Sequence, residues 1–165
     1  MRFTLKQKFF SLMGQEFTVR DEAGDVVYRV SGKVFSVGDK LTIKDASGGE
    51  VARIEQRVIA LRPTYVVRRG DQVVATVKKR LVSFRDRFII DIPDDDNLEA
   101  TGSFLDYEYN LHQGRSAVAK VSKKWLSLTD VYGIEIDDDA DPIVPLATTI
   151  IIDLLCHDKD KQLDV

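Results

Sequence analysis

The sequence contains few of the residues that build disulfides and metal sites: one cysteine and two histidines in 165 residues. A single cysteine cannot form an internal disulfide, and zinc or redox sites built on cysteine need clusters of it. We therefore expect a protein of the reducing cytoplasm, with no cofactor. Positive charge is also not in excess, because 27 acidic residues outnumber 24 Lys and Arg. A mildly acidic chain argues against nucleic acid as a partner, although a local basic patch stays open.

Long hydrophobic runs are missing as well. The N-terminal stretch MRFTLKQKFF is positively charged, but the polar residues at 6–8 interrupt any run of the length that a signal peptide needs. The longest apolar run, from Ile143 to Cys156, contains Asp153 and is shorter than the roughly 20 residues needed to cross a bilayer. We therefore expect no transmembrane segment, and any membrane contact would be peripheral.

What the chain does contain is the composition of an ordinary globular protein, with 44% apolar and 31% charged residues. A chain of this length can bury a substantial core. We expect one domain, covering residues 1–165, with no linker.

Short β-rich runs separated by polar turns fill the chain from Glu16 to Glu135. The clearest turns hold Gly24, Gly48 with Gly49, Gly70 and Gly114, and their flanks are rich in Val, Ile, Thr, Tyr and Phe. This pattern is typical of β-hairpins. It predicts about a dozen strands, and the apolar-polar alternation in VARIEQ indicates that such strands bury one face and expose the other.

The stretch DPIVPLATTIIIDLLCHD, residues 141–158, is predicted to be a helix that is apolar on nearly every side. Asp141 before Pro142 is a plausible start, and Pro145 must then lie in the first turn. About a dozen residues make a rod near 20 Å long, which a closed sheet could enclose. The β-branched run TTIII favours a strand instead, but the whole run is longer than ordinary strands. This argument leaves a barrel and a sandwich both open.

Three segments carry a family likeness over nearly the whole chain. They are FTLKQKFFSLMGQEFTVRDEAGDVVYRVSGKVFSVGDKLTIKD, then EVARIEQRVIALRPTYVV, and finally DVYGIEI followed by IIIDLL. In order and spacing they resemble the LURP-one-related family, whose fold is similar to the tubby C-terminal domain and the phospholipid scramblases. The resemblance implies a mainly β protein with one C-terminal helix: a twelve-stranded antiparallel closed barrel around a central hydrophobic α-helix.

The resemblance implies little about chemistry, because these relatives are generally described as proteins of unknown function. Tubby-like members attach to membranes or phosphoinositides and scramblases move lipid. This sequence has neither a cysteine-rich palmitoylation tract nor a terminal membrane span, which argues against scramblase activity. We expect a non-enzymatic binding or scaffold domain, since the sequence holds no catalytic motif. The alternative is an enzyme acting on a phosphorylated or lipid-like substrate at a barrel mouth.

A basic segment is the candidate binding site. It contains Lys78, Lys79, Arg80, Arg85 and Arg87, placed at the exit of one predicted hairpin and the start of the next strand. Several cations within one Debye length add their attraction, so the sequence predicts a patch for a phosphate-bearing ligand or an anionic-lipid partner. The alternative is that these residues only mark solvated strand ends and discourage edge pairing. An unidentified protein partner also stays open.

The acidic run Asp137, Asp138, Asp139 and Asp141 suggests calcium, but it lacks the loop pattern and distal Glu of a strong calcium motif. A helix cap and a solvated turn explain it better. No metal site is therefore predicted.

Three other polar residues raise the question of a site. His112 and His157 lack neighbouring ligands at metal-binding spacing, so neither is predicted to bind metal or to catalyse. Asp153 lies inside the apolar helix, where a carboxylate must be paired, protonated or at a barrel mouth.

Overall fold

The computed structural model describes residues 1–10, 14–33, 38–58, 61–82, 85–124 and 131–161, with residues 8–10, 33, 81, 82, 85 and 157–161 described by their backbone alone. These residues form twelve strands and one helix. The strands are β1 (Arg2–Phe10), β2 (Gly14–Arg20), β3 (Val26–Lys33), β4 (Lys40–Asp45), β5 (Glu50–Gln56), β6 (Thr64–Arg69), β7 (Gln72–Val82), β8 (Arg85–Asp91), β9 (Leu98–Ser103), β10 (Glu108–Gln113), β11 (Ser116–Ser122) and β12 (Val131–Ile136), followed by α1 (Ile143–Lys161).

The strands form one closed barrel in which every strand is antiparallel to its neighbours in sequence. The barrel closes between the first and last strands, where Phe3 lies opposite Ile134 and Leu5 opposite Tyr132. Closure removes the exposed sheet edges that an open sheet would present to other chains. The predicted twelve-stranded barrel with one C-terminal helix is therefore confirmed.

Antiparallel connections alternate between the two ends of the barrel. The lower end, as we call it, holds the β2–β3, β4–β5, β6–β7, β8–β9 and β10–β11 turns and the start of α1. The upper end holds the remaining connections and the later part of α1. The predicted glycine turns all lie at the lower end. In the β4–β5 turn, Gly48 has a φ of 88°, and Asp45 Oδ1 accepts hydrogen bonds from the N–H groups of Ser47 and Gly49 at 2.9 Å.

The helix occupies the barrel interior, as the absence of a polar stripe predicts. Almost every residue from Ile143 to Leu154 is buried, and Ile150 and Ile151 are completely inaccessible. Strands β6, β7 and β11 all contact the helix. Its 19 residues exceed the predicted dozen because the helix continues to Lys161, beyond the apolar run. The apolar pattern marks only the enclosed part of the helix.

The start of the helix is the predicted one. Asp141 Oδ1 accepts a hydrogen bond from the N–H of Ile143 at 2.9 Å, and Pro142 O accepts the first helical bond from Leu146. Arg69, at the end of β6, pairs with the same carboxylate at 2.7 Å and ties the cap to the barrel wall. Pro145 lies in the first turn, where its missing N–H removes no helical bond.

The acidic residues before the helix make hydrogen bonds and ion pairs within the protein. Asp137 Oδ1 accepts a hydrogen bond from the N–H of Asp139 at 3.1 Å, and Asp138 pairs with the ammonium group of Met1. Within the described residues, no group of three or more His, Cys, Asp or Glu side chains is placed to hold a metal ion. The calcium interpretation has no support from these contacts.

Candidate ligand-binding site

The predicted basic residues lie at the end of the β6–β7 hairpin and at the start of the next strand, β8. Strand β7 continues through all three of its basic residues to Val82, and it pairs with β8 so that Arg80 lies directly opposite Arg87. Arg85 lies opposite Val82 in this register, and its side chain lies outside the described residues.

Strand alternation divides the basic residues between the two faces of the sheet. Ala75 and Val77 point into the core, so Lys79 lies on the inner face of β7, whereas Lys78 and Arg80 lie on the outer face. Lys79 Nζ pairs with Asp86 Oδ2 at 3.2 Å, and only 20% of the lysine side chain is exposed. Lys79 is therefore neutralised near the upper opening and does not join the outer cations.

The outer cations differ in how well they are compensated. Lys78 Nζ lies 2.7 Å from Asp91 Oδ2, a close ion pair, whereas Arg87 Nη1 lies 3.7 Å from Glu99 Oε2, a loose one. Among the described residues, Arg80 has no ion-pair partner. Like charges directly opposite each other destabilise a sheet. The Arg80–Arg87 pair therefore leaves a positive potential on the outer wall that an anion would relieve.

A slot opens in the barrel wall next to Arg87, between β8 and β9. Strands β8 and β9 pair only from Phe88 to Ile90, so the last residues of β9 have no partner on β8. The resulting pocket has a volume of about 440 Å³. We call it the β8–β9 slot; its lining residues are Asp86, Arg87, Thr101, Gly102, Ser103, Phe104, Leu105 and Cys156.

The slot combines one cation, two hydroxyl groups and an apolar wall. Arg87 and Thr101 supply donors to the slot, whereas the Ser103 hydroxyl already donates its proton to Asp106 Oδ2 at 2.6 Å. Phe104 is held by the ring of Phe88, with 4.8 Å between the ring centroids. This arrangement suits a ligand that has an anionic group and an apolar part.

Gly102 keeps the β9–β10 side of the slot closely packed. A Cβ at this position would lie 2.5 Å from the backbone oxygen of Glu108 and 2.6 Å from the Cα of Tyr109. Its φ of 141° is also unfavourable for residues with a side chain. Only glycine fits without moving β10.

The buried Asp153 is held by a tyrosine, so of the three alternatives open from the sequence it is a hydrogen-bonded carboxylate. The Tyr107 hydroxyl donates to Asp153 Oδ1 at 2.7 Å, and Asp153 is 1% exposed. Tyr107 has a φ of 53°, its ring stacks on Tyr132 at 4.7 Å between centroids, and Lys123 Nζ lies 5.1 Å from the ring centre. Sequence reasoning missed these partners, because no local pattern links residues 46 positions apart.

Three tyrosines around Asp153 stay protonated over a wide pH range. Burial, then the charge of Asp153 and the hydrogen bond to it, raise the pKa of Tyr107 above its ordinary value. Burial also raises the pKa of Tyr109 and of Tyr132 well above 10. The hydroxyl groups of Tyr107 and Tyr109 bond to Asp153 and Thr149 of α1 and so link the helix to the barrel.

His112 lies apart from this cluster. His112 is on the outer face of β10, with its Nε2 3.9 Å from Glu99 Oε2. The side chain of His157 lies outside the described residues. His112 is thus placed in the barrel wall, away from the interior.

Comparison with known proteins identifies the family. A family model described as LURP-one-related matches residues 1–153, which is most of the chain. The chain belongs to the LURP-one-related family. A bacterial relative, Uncharacterized protein YxjI of Bacillus subtilis (strain 168), is 32% identical over 160 residues, which cover 96% of each chain.

A solved structure also matches this LURP-one-related chain. The X-ray structure of a protein from Arabidopsis thaliana superposes with a TM-score of 0.61 and 18% identity, covering 93% of this chain and 91% of the other. At this identity the match shows the shared fold. None of the described residues of the LURP-one-related barrel form a helix with the length and hydropathy that a bilayer crossing requires. The cytoplasmic location stays a prediction.

Proposed function

We propose that this LURP-one-related chain is a binding domain for a phosphate-bearing anionic ligand, held at the mouth of the β8–β9 slot by Arg80 and Arg87. The observation that carries the proposal is the cross-strand arginine pair beside an open slot. A lipid headgroup and a soluble phosphate ester share this chemistry, so either could supply the phosphate.

The arginine pair suits phosphate for geometric and electrostatic reasons. Side chains directly opposite each other on a sheet have Cβ atoms about 5 Å apart, so both guanidinium groups can reach one phosphate. Guanidinium donates two parallel hydrogen bonds to a phosphate, and a bound anion would convert the repulsion within the pair into attraction. The hydroxyl of Thr101 at the slot mouth could donate to a further phosphate oxygen.

The alternative, an enzyme at the barrel mouth, has less support. It needs a histidine or carboxylate beside a nucleophile. Cys156 lines the slot, but Asp86, the carboxylate there, is paired with Lys79, and His112 lies on the outer wall. Asp153 is buried and bonded to Tyr107. The described interior is filled by the helix, which favours binding over catalysis.

Binding can be measured with inositol phosphates and inorganic phosphate by titration calorimetry, and with phosphoinositide vesicles by co-sedimentation. The test variant is Arg80→Ala with Arg87→Ala; Lys79 is left in place because it already pairs with Asp86. The control is Lys44→Ala with Arg115→Ala, which removes the same charge from exposed sites at the lower end.

We expect binding at low salt that weakens as salt rises, because the attraction is electrostatic. The double arginine variant should bind at least about tenfold more weakly, since two charge-assisted contacts to the phosphate are lost. The control variant should bind like the wild type. Equal binding by the two double variants, or no binding of any probe at low salt, would refute the proposal.

A further inference from the structure

The two ends of the barrel carry opposite charge. The turns of the lower end and the segment leading to α1 contain eleven acidic residues and one basic residue, Arg115. The acidic residues are Asp21, Glu22, Asp25, Asp71, Asp94, Asp95, Asp96, Asp137, Asp138, Asp139 and Asp141. Much of the negative charge of the protein is thus gathered at one end.

The connections of the upper end are basic over their described residues. They contain Arg57 and Arg62 between β5 and β6, and Lys123 and Lys124 after β11. Two acidic residues accompany them. Asp39 accepts a hydrogen bond from the Tyr65 hydroxyl at 2.5 Å, and Asp106 accepts one from Ser103.

The same end carries the exposed apolar side chains. Among the described residues, the large hydrophobic side chains that are exposed are Val58, Leu61 and Leu105, at 59%, 106% and 66% of their full area. All three lie in upper-end connections. Exposed apolar residues gathered at one end of a protein indicate an interaction surface.

These apolar residues flank the proposed phosphate site. The backbone N–H of Lys79 donates to Pro63 O at 3.3 Å, which places the β5–β6 connection with Leu61 beside the β7–β8 hairpin. On the other side, Leu105 itself lines the β8–β9 slot. Around the rim, the order is therefore Leu61, the Arg80–Arg87 pair, the slot and Leu105.

We infer that the upper end docks on an anionic lipid bilayer, with Leu61 and Leu105 entering the boundary between headgroups and acyl chains. The phosphate at the slot is then a lipid headgroup, so this inference deepens the proposed function and rests on it. Exposed leucines can insert among the acyl chains of an anionic bilayer, while the neighbouring cations pair with its negative headgroups. The acidic lower end is repelled by such a surface and fixes the orientation.

The test uses vesicles of phosphatidylcholine alone and of phosphatidylcholine with phosphatidylserine and a phosphoinositide. The variant is Val58→Ser with Leu61→Ser, which removes exposed apolar area outside the slot without changing charge. A second pair of variants measures how deeply each end enters the bilayer. They are Leu61→Trp and its control Ala46→Trp, which lies in the exposed β4–β5 turn of the lower end. Quenching by brominated acyl chains measures which tryptophan enters the bilayer.

We expect the wild type to sediment with the anionic vesicles and not with phosphatidylcholine alone. The double serine variant should bind these vesicles about tenfold more weakly, because it loses buried apolar area, while binding soluble inositol phosphate like the wild type. Brominated lipid should quench Leu61→Trp above the background of the wild type and leave Ala46→Trp unchanged.

The outcomes separate the two proposals. Binding of soluble inositol phosphate without vesicle binding overturns bilayer docking and leaves the proposed function standing. Bilayer docking is also overturned if the serine variant binds vesicles as tightly as the wild type, or if both introduced tryptophans are quenched equally. Self-association that the serine variant abolishes, without vesicle binding, would assign the surface to a second copy of the chain. Failure of every probe overturns both proposals.

Discussion

Ile150 tests whether the helix is truly enclosed by the barrel. Its side chain is completely inaccessible and lies in the middle of the buried segment of α1. Replacing it by Asp would place a negative charge among apolar side chains, without a group that compensates it. Leaving such a charge buried costs several kcal/mol, which is comparable with the ~5–15 kcal/mol stability of a whole domain. Ile150→Asp should therefore prevent soluble folding.

A milder substitution makes the magnitude measurable. Ile150→Ala removes buried methyl groups and leaves a cavity, at a cost of about 2–5 kcal/mol. For a chain of this size, 1 kcal/mol corresponds to roughly 2–4 °C in melting temperature. We therefore expect Tm to fall by about 4–20 °C. The matched control is Leu61→Ala, at a fully exposed position, which should change Tm by about a degree or less.

Thermal denaturation followed by circular dichroism decides this prediction, and partition between soluble and pelleted protein reports on Ile150→Asp. If Ile150→Asp folds and loses only a few degrees in Tm, α1 lies on a surface. The argument that a barrel encloses the helix would then be wrong.

Two further predictions concern the upper half of the barrel. Gly102→Ala should destabilise the protein by about 2–4 kcal/mol, since its Cβ would press on the β10 backbone. Gly114→Ala has nothing within 4 Å of its Cβ and should destabilise the protein by about 1–2 kcal/mol, through its positive φ alone. Equal losses of stability in chemical denaturation would contradict the packing argument. The raised pKa of Tyr107 means that its stabilising contribution is complete below pH 10, its unfolded value, and is lost as pH rises further. Tyr107→Phe should lower the free energy of unfolding at neutral pH by about 1–3 kcal/mol and make its decline above pH 10 less steep. Urea denaturation at several pH values measures both effects. If stability falls above pH 10 as steeply as in the wild type, the decline does not come from Tyr107.

Much of the local structure could be predicted from the sequence, because it depends on neighbouring residues. The turns around Gly24, Gly70 and Gly114 follow from their residue types, and so does the cap at Asp141. The enclosure of α1 follows from its lack of a polar stripe. The turn pattern predicts about a dozen strands, but the exact number and the closure of the sheet came from the family resemblance, since local periodicity does not distinguish a barrel from a sandwich.

The candidate site needed the tertiary structure. The order K-K-R predicts three neighbouring cations, but strand register sends Lys79 inward to Asp86 and sets Arg80 opposite Arg87. No local pattern brings Tyr107 to Asp153, because that contact depends on how the helix is placed within the closed barrel.

The charged and apolar connections can be read from the sequence, but the strand topology decides which of them lie at the same end of the barrel. The acidic turns are scattered between Asp21 and Asp141 along the chain. They gather at one end because every strand reverses direction, so alternate connections share an end. The sequence by itself therefore determined a mildly acidic, hairpin-rich protein with an enclosed helix. Only the antiparallel closure separated the acidic end from the end that carries the exposed leucines and arginines.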